Sequence, residues 1–188
     1  MVEEIQDRQV EIISNSLEKL SIALCVTGGI AAIESPKLAR QFRRHSASVK
    51  AYVTENALKF IGEASLVWGT NQPIVKELTG NSEHICLEDI VLVAPATLNT
   101  TDKIFLGIAD NPVTTLVASA LGQKKPVYLA PTMHLSLYNN PVFQENLKKS
   151  DMYGIKIIEP RIGEGKAKIP YLKEIVKIVI DDFKDYKK

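Results

Sequence analysis

Two cysteines, Cys25 and Cys86, stand in this chain of 188 residues. They are too few for a disulfide framework or a four-thiolate zinc site, and both read as core residues. An excess of charge is missing too. The formal net charge is +1 at pH 7, which gives no electrostatic footprint for nucleic acid or an anionic membrane. No apolar run nears the ~20 residues that span a bilayer. The opening stretch MVEEIQDRQVEII is acidic and lacks the apolar run of a secretory signal. The expectation is a cytoplasmic protein with no metal, no nucleic-acid partner and no membrane partner. Repeats, low-complexity tracts and long linkers are also absent. Hydrophobic residues make up 45% and charged residues 24%, a balance that suits one domain with a sizeable core.

Residues 3–20 place Ile5, Ile13, Leu17 and Leu20 near helical spacing, so 1–20 is expected to be an amphipathic lead-in helix and 21–188 the main domain. SIALCVT (21–27) reads as a buried parallel strand. Residues 30–45 read as a helix with Pro36 near its first turn and His45 at its end, where a cation suits the helix dipole. SVKAYVT (48–54) is a second strand, and ENALKFIG reads as a helix closed by Gly62. Residues 63–83 look irregular. IVLVAPA (90–96) is a third strand. DKIFLGIAD and VTTLVASALG follow as helices, then strands at KPVYLAP (125–131) and GIKIIEP (154–160) with a helix from Pro141 between them. A final amphipathic helix spans 171–183. Strands that alternate with helices throughout argue an α/β domain whose parallel sheet is covered on both faces.

Ligands of such sheets sit beyond the carboxyl ends of the strands. After the first strand, Thr27-Gly28-Gly29-Ile30 fits either a tight turn or a loop whose N–H groups approach an anion. The three spaced glycines of a dinucleotide loop and the Gly-Lys-Ser/Thr of a Walker loop are both missing. Thr54 fits a helix cap, a phosphate ligand or both. After the third strand, Thr97-Leu98-Asn99-Thr100 offers small donors and acceptors suited to the edge of a flat heterocycle, or a cap at Asn99 or Thr100. Thr132, Met133 and His134 follow the fourth strand; Met133 could pack on a ring and His134 could bind an anionic group. RIGEGKAKIP (161–170) reads as a glycine- and lysine-rich flap or a solvated loop.

In order and spacing, TGGIAA, TENALKFI, HICL, PATLNTTDKIFLGIADNPVTT and PTMHLSLYNNP resemble the flavin-dependent cysteine decarboxylase family. The resemblance covers residues 20–180 and is nearest to the phosphopantothenoylcysteine decarboxylases that archaea often fuse to the cognate ligase. It implies a single Rossmann-like (flavodoxin-like) domain that binds flavin mononucleotide (FMN) at Gly28, Gly29, Ile30, Thr54, Thr97, Leu98, Asn99, Thr100 and Thr132. It implies His84 and Asn99 as catalytic residues, with Met133, His134 and Lys166 on the substrate. Two departures stand out: His134 occupies the family's asparagine position, and the flap lacks the cysteine that many members use as an acid. Glu164, Lys166 or water remain as sources of the final proton.

The implied reaction turns 4′-phosphopantothenoylcysteine into 4′-phosphopantetheine in coenzyme A biosynthesis. The implied assembly is a homotrimer, or a dodecamer of trimers, with FMN at the subunit boundary. Trp68 and Leu66-Val67 fit either that boundary or the core. No ligase segment follows FKDYKK, so a separate phosphopantothenate–cysteine ligase is an expected partner. The alternatives are a flavin-carrying electron-transfer or pterin-reductase-like protein of the same fold, and a trimeric regulatory binding module. A prenyl transferase is disfavoured by the absence of its Gly-Ala-Ser-Gly and Ser-Met-Lys-Thr loops.

Overall fold

The computed structural model describes residues 7–184. Five parallel strands form the central sheet: β1 Ser21–Val26, β2 Ser48–Val53, β3 Ile90–Ala96, β4 Val127–Pro131 and, fifth in the sheet, β6 Ile155–Ile157. Their spatial order is β2-β1-β3-β4-β6. The chain therefore winds one way from β1 to β2 and the other way from β1 to β3. That reversal opens a crevice beyond the carboxyl ends of β1 and β3. A second, antiparallel sheet orders β5 (Met133–His134), β8 (Lys166–Lys168) and β7 (Arg161–Gly163).

Both faces of the central sheet are covered, so its strands are apolar throughout rather than alternating. Ile22, Leu24 and Val26 of β1 pack with Leu38 and Phe42 of α1 (Ser35–Arg44), Leu66 of α2 (Glu63–Thr70), and Ile175 and Val179 of α7 (Leu172–Lys184). Ala23 and Cys25 point the other way. They join Ile104 of α3 (Leu98–Phe105) and Val113, Leu116 and Val117 of α4 (Pro112–Gly122). Phe42 is fully buried, and truncating such a side chain to alanine costs about 3–5 kcal/mol. Gly69 lets α2 lie against α1, because a Cβ there would sit 2.7 Å from Pro36 Cα. The short α5 (Leu135–Tyr138) and α6 (Pro141–Lys148) connect the second sheet to β6.

Several expectations need correction. Residues 7–20 form turns and extended chain, not a lead-in helix, and Ile5 lies outside the described residues. The stretch is held by backbone and guanidinium bonds, among them Ile13 N to Arg44 O at 2.8 Å and Arg43 Nη2 to Arg8 O at 2.9 Å. Of the described members of the supposed apolar stripe, Leu17 alone is fully buried. ENALKFIG gives a 3-10 turn at Ala57–Lys59, and Gly62 begins α2 instead of closing a helix. The supposedly irregular middle thus contains α2. Leu66 belongs to the core, and Trp68 carries the Arg40 guanidinium 4.1 Å from its ring centroid. His45 stands at the end of α1, as its C-cap. Its Nδ1 lies 2.7 Å from Ser14 Oγ, and burial lowers its pKa. Among the described residues no helix is long and apolar enough to cross a membrane.

Candidate functional site

A cavity of about 1010 Å³ opens at the carboxyl ends of the central strands. Its inner wall is the turn after β1. The buried Thr27 hydroxyl donates to Pro95 O at 2.7 Å and accepts from Thr97 N at 3.0 Å, which clamps the end of β1 to the end of β3. Gly28 follows, pressed on the loop after β2: a Cβ there would stand 2.5 Å from Asn56 Cβ and 3.0 Å from the Asn56 carbonyl carbon. Among the described residues the N–H groups of Gly28, Gly29 and Ile30 donate to no protein acceptor. The helical stretch after Gly29 begins with a 3-10 turn at Ile30–Glu34. The attraction for an anion therefore rests on these free N–H groups more than on a long helix dipole. Thr54 lies across from them, its Oγ1 accepting from Ala57 N at 3.3 Å. Its own O–H remains available to donate, so the cap and phosphate-ligand readings are compatible.

The second wall is the start of α3. Thr97 is its N-cap, in place of the expected Asn99 or Thr100, and makes no side-chain capping bond. Asn99 is exposed and Thr100 is buried. Thr132 N donates to Ala96 O at 3.0 Å, which joins the end of β4 to the same rim. The outer wall is the hairpin of β7 and β8. It was expected as a flap or a solvated loop, and it forms two strands of the second sheet, with Met133 opposite Ala167 and His134 opposite Lys166. Arg161 lies 3.9 Å from the centroid of the Tyr171 ring and donates from Nε to Ile169 O at 3.0 Å.

The Flavoprotein family matches residues 11–184. The chain belongs to that family. It is 44% identical over 174 residues to the "Coenzyme A biosynthesis bifunctional protein CoaBC" of Thermococcus kodakarensis, with 89% of this chain and 43% of that protein aligned. The protein of the same name from Methanocaldococcus jannaschii is 42% identical, with 89% and 42% aligned. The chain thus spans less than half the length of these two relatives. A "probable phosphopantothenoylcysteine decarboxylase" of Streptococcus mutans is 33% identical, with 74% of this chain and 82% of that protein aligned. Among solved structures, a PPC decarboxylase mutant complexed with pantothenoylaminoethenethiol superposes with a TM-score of 0.76 at 27% identity, covering 89% of this chain and all of the other. The FMN binding protein AtHal3 gives 0.78 at 27% identity, covering 89% and 98%.

In this Flavoprotein chain, Gly28, Gly29, Ile30, Thr54, Thr97, Leu98, Asn99, Thr100, Thr132, Met133, His134 and Lys166 all line the one cavity. His84 does not. It ends an exposed 3-10 turn at Ser82–His84, with Nδ1 3.1 Å from Asn81 O. Of the suggested proton donors, Glu164 is paired with Lys168 at 2.6 Å, is largely solvent-exposed and does not line the cavity. That hydrogen bond holds its carboxyl below the usual range. Sequence reasoning missed Asn56, Tyr171 and the Lys103–Asp110 ion pair, all on the cavity wall. The Lys103 ammonium keeps the Asp110 carboxyl below its usual range. Asn56 stands two residues beyond Thr54, and the close approach of Gly28 that makes it important leaves no local mark in the sequence.

Proposed function

We propose that this chain uses FMN to decarboxylate 4′-phosphopantothenoylcysteine to 4′-phosphopantetheine in coenzyme A biosynthesis. The observation that carries this reading is the convergence of the loops after β1, β2, β3 and β4 on one cavity at the sheet's reversal point. Its volume lies at the top of the ~300–1,000 Å³ range of small-molecule sites, which leaves room for a cofactor and a substrate together. The names of the relatives support the choice of substrate.

The residues present fit FMN. The free N–H groups of Gly28–Ile30 and the Thr54 hydroxyl would hold its phosphate, and Thr97–Thr100 and Thr132 would flank its ring. When bound, FMN supplies a two-electron sink for the substrate thiol and returns the electrons after CO2 is lost. The chain's own side chains orient the substrate. The Asn99 amide meets the carboxylate, Met133 packs on the acyl chain, and the Lys166 ammonium attracts an anionic group. Enclosing the carboxylate beside a neutral amide strips its hydration and favours loss of CO2.

His84 enters this scheme through a second copy. We propose a homotrimer with FMN at the subunit boundary, in which His84 of one copy completes the next copy's cavity and acts on protons at the reacting thiol. In support, exposed apolar side chains flank His84: Ile85 is 42% and Leu87 66% exposed. The test is complementation. His84→Asn and Asn99→Ala, each inactive alone, should regain part of the CO2 release when refolded together. Mixtures as inactive as either parent would show that the two residues do not meet across a boundary.

A further inference from the structure

Resting on the decarboxylase reading, we propose that His134 is the general acid that protonates carbon after CO2 leaves, through its Nε2–H. Loss of CO2 leaves an ethenethiolate, –NH–CH=CH–S⁻. A proton must reach the carbon that carried the carboxylate, giving –NH–CH2–CH=S with no change in electron count. The two electrons taken from the thiol at the outset then return with two further protons, one to carbon and one to sulfur, giving –NH–CH2–CH2–SH. The acid must line the cavity and carry a labile proton near neutral pH.

His134 lines the cavity and presents an imidazole there. Carboxylic acids as a class are ionised near neutrality, and lysine, tyrosine and arginine hold their protons too tightly, whereas imidazole titrates there. Several of the other acidic and cationic side chains on the cavity wall and the hairpin are engaged. Lys168 pairs with Glu164, Lys103 with Asp110, and Arg161 stacks on Tyr171. Lys166 lies opposite His134 in the strand register and faces the same cavity.

The seat of the His134 ring suits a proton that comes and goes. Ser136 N donates to Nδ1 at 3.2 Å, and Ser136 Oγ lies 3.0 Å from the same nitrogen. In the neutral ring Nδ1 is the acceptor, so the proton sits on Nε2. In the cation Nδ1–H turns to Ser136 Oγ, which accepts. One neighbour thus serves both states. Nε2 faces the hairpin tip, where a Cβ on Gly165 would stand 3.6 Å away. Leu135 N bonds Gly165 O at 2.9 Å, which fixes that approach.

The experiment supplies 4′-phosphopantothenoylcysteine anaerobically to the FMN-loaded wild type and to His134→Gln, with products resolved by mass. Wild type should give the saturated thiol. His134→Gln should still bind FMN and release CO2, stop at the ethenethiol two hydrogens short, and form saturated thiol about 10²-fold more slowly. Saturated thiol formed at the wild-type rate would overturn the proposal, as would loss of CO2 release in a variant that still binds FMN. A wild type that releases no CO2 would overturn the decarboxylase reading itself, before any variant is compared. Independently of turnover, 15N shifts of the FMN-free protein should place the neutral ring's proton on Nε2; a proton on Nδ1 would contradict the proposed seat.

Discussion

On the inner side of the cavity, Thr27 ties two strand ends together from a fully buried position, and Gly28 sits so close to Asn56 that no side chain fits between them. On the outer side, the hairpin of β7 and β8 is held by short antiparallel pairings, a stacked Arg161 and an exposed Lys168–Glu164 pair. The inner wall is fixed by core packing, and any change there displaces several elements at once. The outer wall buries Ala167 but is otherwise held by its short strand pairings and by contacts near the surface, which are individually weak. In the proposed scheme this divides the labour: the rigid wall seats the cofactor, and the adjustable wall carries the chemistry peculiar to one substrate. His134, on β5 beside that hairpin, belongs to the adjustable side.

Four substitutions break or sharpen this contrast. Gly28→Ala should have the largest effect. Its Cβ meets both side-chain and backbone atoms of Asn56, so the loop must shift at a cost of about 1–3 kcal/mol. FMN affinity, read by fluorescence quenching, should collapse with it; unchanged affinity would mean that the turn is not the phosphate seat. Thr27→Val removes the hydroxyl bonded to Pro95 O and Thr97 N, leaving buried groups unpaired at about 1–3 kcal/mol. Denaturant unfolding should show that loss together with weaker FMN binding. On the outer wall, Arg161→Ala should lower stability by about 0.5–1 kcal/mol and raise the substrate KM, with FMN affinity retained.

Glu164→Gln should matter least. The folded-state pKa of Glu164 is depressed by its bond to Lys168. Any stability it adds is therefore present above the ordinary carboxylate pKa and lost as pH falls through the depressed value. At neutral pH and ordinary salt the exposed pair should leave the melting temperature unchanged. A clear drop in Tm there would show that the hairpin is anchored more firmly than its contacts indicate.

The same contrast governs what could be read from the sequence. IVLVAPA matches β3 residue for residue, because a strand buried on both faces is a continuous apolar run. The strand-end residues followed directly, since the ends of a parallel sheet are where ligands gather. The hairpin was hidden. β8 pairs with the two-residue β5, and two residues carry no periodicity. The lead-in segment misled because Ile13 and Leu17 have helical spacing, yet Ile13 is 54% exposed and its N–H bonds the end of α1. α2 was missed because Gly62 reads equally as a helix end and a helix start, and Gly69 breaks the apolar pattern for the sake of contact with Pro36. His84 was legible only as a motif. Its separation from its own cavity is a tertiary fact that no local pattern encodes.

The central claim is that the cavity beyond β1 and β3 holds FMN and removes CO2 from a cysteine-derived thiol. The most direct test loads the purified chain with FMN, supplies 4′-phosphopantothenoylcysteine and weighs the product. The account predicts retained flavin and a product lighter by one CO2 with its thiol saturated. A protein that retains no FMN, or one that retains it and returns the substrate unchanged, would contradict it.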